Sequence, residues 1–317
     1  MRSCAATALV VVVVAACSGG SQSHRAATTT TTTPTSSLTA AAPTANAPCG
    51  TRASPPATYQ HVIWVWMENH RYDAVIGAAA APFQTRLAGQ CASATNVATV
   101  GAPSLPNYIG ATSGQTFGIA DDASPAAHAL TSDNLFRQVR AAGGTAKSYQ
   151  EDMASNCQIT SAGQYAVKHN PAAYSTGDGD RAACQRDNVP MGTTAGGPFL
   201  DDLRHDTLPT LAFVTPNLCN DTHDCPVATG DAWLAGWVPE IVGTKAWARG
   251  DTALVISYDE YTPIPNVWVA PSVRPGARAD ASITLYALLR TVEEMLGIKA
   301  FLGGAATSPS VRSAFGI

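Results

Sequence analysis

Positive charge is scarce in this chain. Nineteen Lys and Arg stand against 23 Asp and Glu among 317 residues, a formal net charge of −4. Nothing gathers the cations into the basic patch that nucleic-acid recognition needs. Long apolar runs are missing too. The stretch Ala5 to Ala16 is too short to span a bilayer as a mature helix. No C-x-x-C occurs, which argues against a zinc ribbon. No G-x-S-x-G occurs, which argues against the elbow of an α/β-hydrolase triad. No internal repeat is present.

What is there begins with an export signal. Arg2 precedes the apolar stretch, which ends in Val14-Ala15-Ala16-Cys17-Ser18-Gly19. That ending is similar to a bacterial lipobox, in which Cys17 is lipidated and becomes the mature N-terminus; the alternative is an ordinary secretory signal cut nearby. A lipidated Cys17 anchors a protein to a membrane surface without crossing it. Ser18 to Pro48 is rich in Ser, Thr, Ala and Pro without apolar periodicity, the composition of a disordered stalk. The expected organisation is therefore a signal over 1–16, a lipidated linker over 17–48 and one large domain over 49–317.

Cys4 leaves with the signal and Cys17 takes the lipid. Six cysteines remain for the domain: Cys49, Cys91, Cys157, Cys184, Cys219 and Cys225. An even number in an exported chain points to disulfides. Their pairing is open, and closeness in sequence favours Cys219–Cys225, Cys157–Cys184 and Cys49–Cys91.

Within the domain, strand-like and helix-like segments alternate. His61–Met67, Asn96–Val100, Ala146–Tyr149, Leu211–Val214, Ala253–Tyr258 and Val267–Ala270 read as strands. Ala81–Gly89, Asn134–Ala142, Ala232–Thr244 and Ile283–Leu296 read as helices, and a further helix opens within Ile109–Gly114. Residues 156–197 read as a long irregular excursion. Continuous apolar strands in such an alternation predict an α/β fold, a mainly parallel sheet with helices on both faces.

Two buried strands end in paired oxygen-bearing side chains, Glu68-Asn69 and Asp259-Glu260. If they are neighbours in one sheet, four hard ligands meet at its carboxyl rim, where open α/β sheets place their sites. Carboxylates so close repel unless a cation or proton lies between them, so Glu68, Asn69, Asp259 and Glu260 are the candidate ligands of a divalent metal. Ser104, in Pro103-Ser-Leu-Pro-Asn107-Tyr108, sits at a strand-to-helix turn, the place of a nucleophile. The helix start offers N–H groups to an anion, and Asn107 is placed to donate to a phosphoryl oxygen. Asn220-Asp221-Thr222-His223-Asp224, bracketed by Cys219 and Cys225, is dense in ligand-type side chains. His223 suits a general acid or, alternatively, a metal ligand. Lys168-His169 is a pair that can grip a phosphate.

These segments together resemble the bacterial phosphoesterase family of phospholipases C and secreted acid phosphatases. The motifs are Val62-Ile-Trp-Val-Trp-Met-Glu68-Asn69, Pro103-Ser-Leu-Pro-Asn-Tyr108, Tyr165-Ala-Val-Lys-His-Asn-Pro171, Leu208 to Asn217, Asn220 to Asp224, Gly230-Asp-Ala-Trp-Leu234 and Ser257-Tyr-Asp-Glu260. They run in the family's order across residues 60 to 298. The closest likeness is to short secreted acid phosphatases acting on phosphoinositides. The resemblance implies an alkaline-phosphatase-like fold and a phosphatase with Ser104 as nucleophile. It implies Glu68, Asn69, Asp259 and Glu260 around a metal, His223 and Asp221 as catalytic or ligating, and His169 at the phosphate. Many relatives carry His where this chain has Ala102 and Leu285, so one metal is expected rather than two. The expected substrate is a phosphate ester, with a phospholipid or phosphoinositide in view. The alternatives are a phospholipase C-type phosphodiesterase and a degenerate surface binding lipoprotein.

Overall fold

The computed structural model describes residues 47–317, with Val13. The expected signal, Cys17 and nearly all of the 17–48 linker lie outside the described residues. No helix among the described residues is long and apolar enough to cross a membrane.

The strands are β1 (His61–Met67), β2 (Ala92–Ala94), β3 (Val97–Ala98), β4 (Ala146–Gln150), β5 (Asn188–Pro190), β6 (Leu211–Thr215), β7 (Thr252–Tyr258), β8 (Asn266–Val269), β9 (Ala277–Ala279) and β10 (Ile283–Thr284). Eight of them form one sheet in the order β5-β4-β6-β1-β7-β8-β2-β9, and β10 pairs with β3 separately. From β5 to β7 every pairing is parallel. β8 then runs antiparallel to β7 and to β2. The sheet is thus mainly parallel, as expected. β1 and β7 are buried almost throughout, because central strands covered on both sides are apolar without alternation.

The helices are α1 (Tyr72–Val75), α2 (Pro82–Gln90), α3 (Ser104–Ser113), α4 (Leu135–Ala141), α5 (Asp180–Asp187), α6 (Pro198–Arg204), α7 (Val227–Val242), α8 (Lys245–Arg249), α9 (Leu285–Met295) and α10 (Arg312–Phe315). β1 shows that both faces are covered. Trp66 packs on Tyr108 of α3, the rings tilted by 38° with centroids 4.8 Å apart. Met67 meets α7 instead: a Cβ at Gly230 would lie 2.7 Å from its Cε and 2.4 Å from Thr222 Cγ2. Consecutive strand residues point to opposite faces, so α3 and α7 flank the sheet. The same glycine lets α7 close against the loop before it.

Several boundaries differ from the sequence reading. The excursion over 156–197 contains α5 and the edge strand β5, whose three residues are too few for a periodic signal. The helix expected within 109–114 starts at Ser104, and α7 starts at Val227 rather than Ala232. α6, with its Pro198 start, was not anticipated. All three expected disulfides form: Cys49–Cys91, Cys157–Cys184 and Cys219–Cys225.

Candidate active site

The register of the two central strands builds the site. β1 and β7 pair in parallel from His61 opposite Thr252 to Met67 opposite Tyr258. The next residues, Glu68 and Asp259, therefore leave the sheet side by side. The third contribution comes from the segment after β6. Glu68 N donates to Asp221 O at 2.8 Å, and Thr222 Oγ1 donates to Glu68 O at 2.8 Å. Asn69 N donates to Asp259 Oδ1 at 3.2 Å, with Asn69 at φ 58° and Thr222 at φ 80°. A β-branched residue there is an outlier that the surrounding bonds must hold.

Glu68, Asp221 and Asp259 are completely buried. Burial pushes the Glu68 carboxyl well up, and the Asp259 and Asp221 charges push it further. Burial raises Asp221 to about 8 and Asp259 to about 7, the latter helped by Glu260. His169 lies between two of these acids, Nε2 3.3 Å from Glu68 Oε1 and Nδ1 3.2 Å from Asp221 Oδ2. Burial holds its pKa well below the usual range, assisted by the Lys168 and His223 charges. A neutral imidazole has one N–H, so the lone pair of its other nitrogen faces a carboxylate oxygen.

Ligand atoms from Glu68, His169 and Asp221 all lie within 4.8 Å of one another. Asn69 Oδ1, His169 Nε2, Asp221 Oδ2 and Asp259 Oδ2 are buried without a hydrogen-bond partner. Crowded acids with orphaned oxygens and an imidazole fit a divalent cation. Nitrogen and carboxylate donors together suit a transition metal or zinc more than calcium.

Ser104 is the first residue of α3 and is buried. Its hydroxyl donates to Glu68 Oε2 at 3.2 Å. Four residues on, one helical turn along the same face, Tyr108 donates its hydroxyl to Glu68 Oε1 at 2.5 Å. The two donors thus divide the carboxylate between them. The Tyr108 ring also stacks on His169, centroids 5.2 Å apart.

Asn107 does not reach toward a ligand. Its Oδ1 accepts from Val100 N and Gly101 N, both at 2.9 Å, and its Nδ2 donates to Gly101 O at 3.0 Å and Pro103 O at 3.4 Å. With both amide hydrogens committed, it is the brace of the turn that carries Ser104. The start of α3 is also partly occupied: Leu105 N donates to Asp122 Oδ1 at 3.0 Å. Asp122, which no pattern in the sequence marks, also accepts from Lys168 Nζ at 3.0 Å.

Lys168 Nζ lies 3.3 Å from His223 Nε2, and His223 Nδ1 lies 2.6 Å from Asp224 Oδ1. The four form a chain Asp224–His223–Lys168–Asp122 beside the acid cluster. Burial works against the ammonium, but Asp122 more than offsets it and the Lys168 pKa is raised. Glu260, grouped by sequence with the metal ligands, is only half-buried and outside the Glu68–His169–Asp221 group. It faces Asp122, Lys168 and His223 electrostatically, and burial followed by Asp122 raises its pKa. Glu151 was also missed. It accepts from Asn217 N at 3.0 Å, Asn220 Nδ2 at 2.9 Å and Trp233 Nε1 at 3.2 Å, and so pins the loop bearing Asp221 and His223.

The profile of the Phosphoesterase family matches residues 78–264. The phosphatidylinositol-3-phosphatase of Mycobacterium tuberculosis is 33% identical over 277 residues, covering 84% of this chain and 86% of that protein. An acid phosphatase of Aspergillus fumigatus is 29% identical over 261 residues. That match takes in 74% of this chain but 54% of the fungal protein, so the chain spans about half its length. Among solved structures, lipoteichoic acid synthase LtaP from Listeria monocytogenes superposes with a TM-score of 0.55 at 12% identity, over 81% of this chain and 78% of that one. A protein of the alkaline phosphatase superfamily from Vibrio parahaemolyticus gives 0.52 at 14% identity, over 83% and 74%. These last two likenesses concern the fold, which is alkaline-phosphatase-like as expected.

Proposed function

The chain belongs to the Phosphoesterase family, hydrolases of phosphoric esters, and from that premise we propose a metal-dependent phosphomonoesterase that works through a phosphoserine at Ser104. The observation that carries this reading is the Ser104 hydroxyl donating to Glu68 Oε2 at 3.2 Å, inside a buried acid cluster. A serine with a carboxylate acceptor on its proton and a rigid helix behind it is placed to attack phosphorus.

Glu68, Asp221 and His169 would hold the cation, and Asn69 Oδ1 and Asp259 Oδ2, buried without hydrogen-bond partners, are further candidate donors. When bound, the metal neutralises charge on the phosphoryl oxygens and balances the buried acids. The rest is work for side chains. Ser104 Oγ bonds to phosphorus as its proton passes to Glu68 Oε2. The bond from phosphorus to the alcohol oxygen breaks, and His223 gives that oxygen its proton and is left neutral, while Lys168, 3.3 Å from it, keeps its charge. Asp224 holds His223 Nδ1 and fixes the ring. Water then attacks phosphorus and gives its proton to His223, and the serine oxygen leaves, recovering its proton from Glu68. Lys168 supplies positive charge to the bound phosphate.

The 33% identity to a phosphatidylinositol-3-phosphatase supports a phosphoinositide among the substrates. The three disulfides fit an oxidising compartment. We assign 49–317 as the phosphoesterase domain, exported and held at the cell surface by a lipid on Cys17. Ser104→Ala should abolish p-nitrophenyl phosphate hydrolysis while leaving the far-ultraviolet circular dichroism unchanged. Acid quenching of wild-type turnover should trap phosphate on the peptide containing Ser104. Full activity in the variant, or trapped phosphate elsewhere, would refute the mechanism.

A further inference from the structure

Helix α3 starts at Ser104 without a cap of its own. Pro103 stands at its N-cap position and makes no side-chain bond there. The N–H groups of a first helical turn have no partner within the helix. One of them is met from 17 residues away in the sequence: Leu105 N donates to Asp122 Oδ1 at 3.0 Å. The other oxygen of the same carboxylate, Oδ2, accepts from Lys168 Nζ at 3.0 Å. One acid thus ties the helix of the nucleophile to the cation of the phosphate site.

A second apolar cluster, apart from the main core, delivers these groups to one place. Its buried members include Leu105, next to Ser104, Val167, next to Lys168, and Ile119, three residues before Asp122. Beyond Asp122, Tyr174 of the same cluster donates its hydroxyl to Ala123 O at 2.9 Å. Ala123 N in turn donates to Asp121 Oδ1 at 3.0 Å. The Asp122 backbone is therefore held on both sides, although it lies in an irregular segment between α3 and α4.

Lys168 needs such a holder. A lysine ammonium is a point charge on a flexible four-carbon stem, and the stem alone does not fix its direction. The ammonium has three N–H donors. One is taken by Asp122, and His223 Nε2 lies 3.3 Å away, which leaves a direction for a phosphoryl oxygen. No other acid does the work of Asp122. Glu260 acts on Lys168 only through space, and Asp224 is bonded to His223.

We infer that Asp122 is the positioning residue of the phosphate site. It aims the Lys168 ammonium at the phosphoryl oxygens of an ester bound at Ser104, and it caps the helix that carries the serine, without touching substrate itself. The inference rests on the phosphomonoesterase reading above and adds the residue that orients its cation. One effect opposes it. The Asp122 charge also repels an anionic substrate, so its removal relieves repulsion while it frees the lysine. Both side chains are partly open to water, 20% exposed for Lys168 and 28% for Asp122. Water and salt screen the longer-range repulsion more than the direct 3.0 Å bond, so the loss of positioning should win.

The test titrates inorganic phosphate calorimetrically and follows p-nitrophenyl phosphate kinetics on the metal-loaded protein, with Asp122→Asn, Lys168→Ala and the double variant. Asp122→Asn keeps an acceptor for Leu105 N and removes the charge that holds Lys168. It should weaken phosphate binding and raise KM together, roughly tenfold, the order of a hydrogen bond to a charged group. Its kcat should stay within about threefold, and its circular dichroism should match the parent. In the Lys168→Ala background the same substitution should change phosphate binding and KM by less than about twofold, since its effect runs through the lysine. A loss that persists in that background, or a fall in kcat with KM unchanged, assigns Asp122 to helix structure alone and overturns the inference. Unchanged or tighter phosphate binding in Asp122→Asn overturns it too, as does a variant that no longer folds. A wild-type protein that binds phosphate but hydrolyses no monoester overturns the proposed function instead, and the titration still decides on Asp122.

Discussion

Removing divalent metal with a chelator, and following thermal unfolding at several pH values, isolates the acid cluster of Glu68, Asp221 and Asp259. Without a cation these buried groups resist ionising, and burial raises Asp259 from 3.8 to about 7. A raised folded pKa means that the folded state holds its proton longer than the unfolded chain. The associated stability is complete below about pH 4 and is lost as pH rises through 7. The shift corresponds to about 4 kcal/mol. Asp221 and Glu68 are raised chiefly by burial in the same cluster, and their shifts are not added to it. In a domain of this size that is a fall in Tm of about 10 °C. The metal-loaded protein, whose carboxylates are already ionised against the cation, should show little of this slope. Differential scanning fluorimetry between pH 4 and pH 8, with chelator and with added Zn²⁺ or Mn²⁺, reads both curves. Superimposable curves would refute the idea that these acids are built around a cation.

Other perturbations give separate readouts. Tyr108→Phe keeps the ring packed on Trp66 and stacked on His169 but removes the hydroxyl on Glu68; kcat should fall roughly tenfold or more, the worth of a hydrogen bond to a charged group, with unchanged melting in the metal-loaded state. Replacing Cys219 and Cys225 by Ser opens a loop with a sequence separation of 6 and should cost about 2 kcal/mol in urea unfolding, with a larger loss in activity because Asp221 and His223 ride on it. Glu293 is fully buried, its Oε2 lacks a partner, and burial raises its pKa to about 7. It therefore costs stability above neutral pH and not below about 4.5, so Glu293→Gln should be about 3 kcal/mol more stable than the parent at pH 8 and nearly equal at pH 4.5. Equal stabilisation at both pH values would remove that account.

Much of the site was legible because its pieces stand at the ends of strands that announce themselves. His61–Met67 and Ala253–Tyr258 are apolar without interruption, so Glu68 and Asp259 mark where each leaves the sheet. Tyr108 was within reach of the same reasoning, since a helix beginning at Ser104 puts it one turn away on the same face. The expected later start hid it. Asp122 was not legible, because an acid in an unpatterned segment carries no sign of the helix start and lysine it will meet. Asn107 misled for a related reason. An amide beside a nucleophile is as good a donor to its own turn as to a phosphate, and only packing decides which.

The sequence by itself determined the α/β alternation, the turn that carries Ser104, the acid pairs and the cysteine inventory, because each is written in local pattern or count. Only the tertiary structure decided which of those groups share a site. Register set Glu68 beside Asp259, and the segment after β6 brought Asp221 up to them. Fold-back of the 156–197 region placed His169 between two acids and Lys168 against His223. Such meetings depend on distances through space between residues far apart in the chain. Charge repulsion, burial and shared protons act over those distances, and local sequence does not encode them.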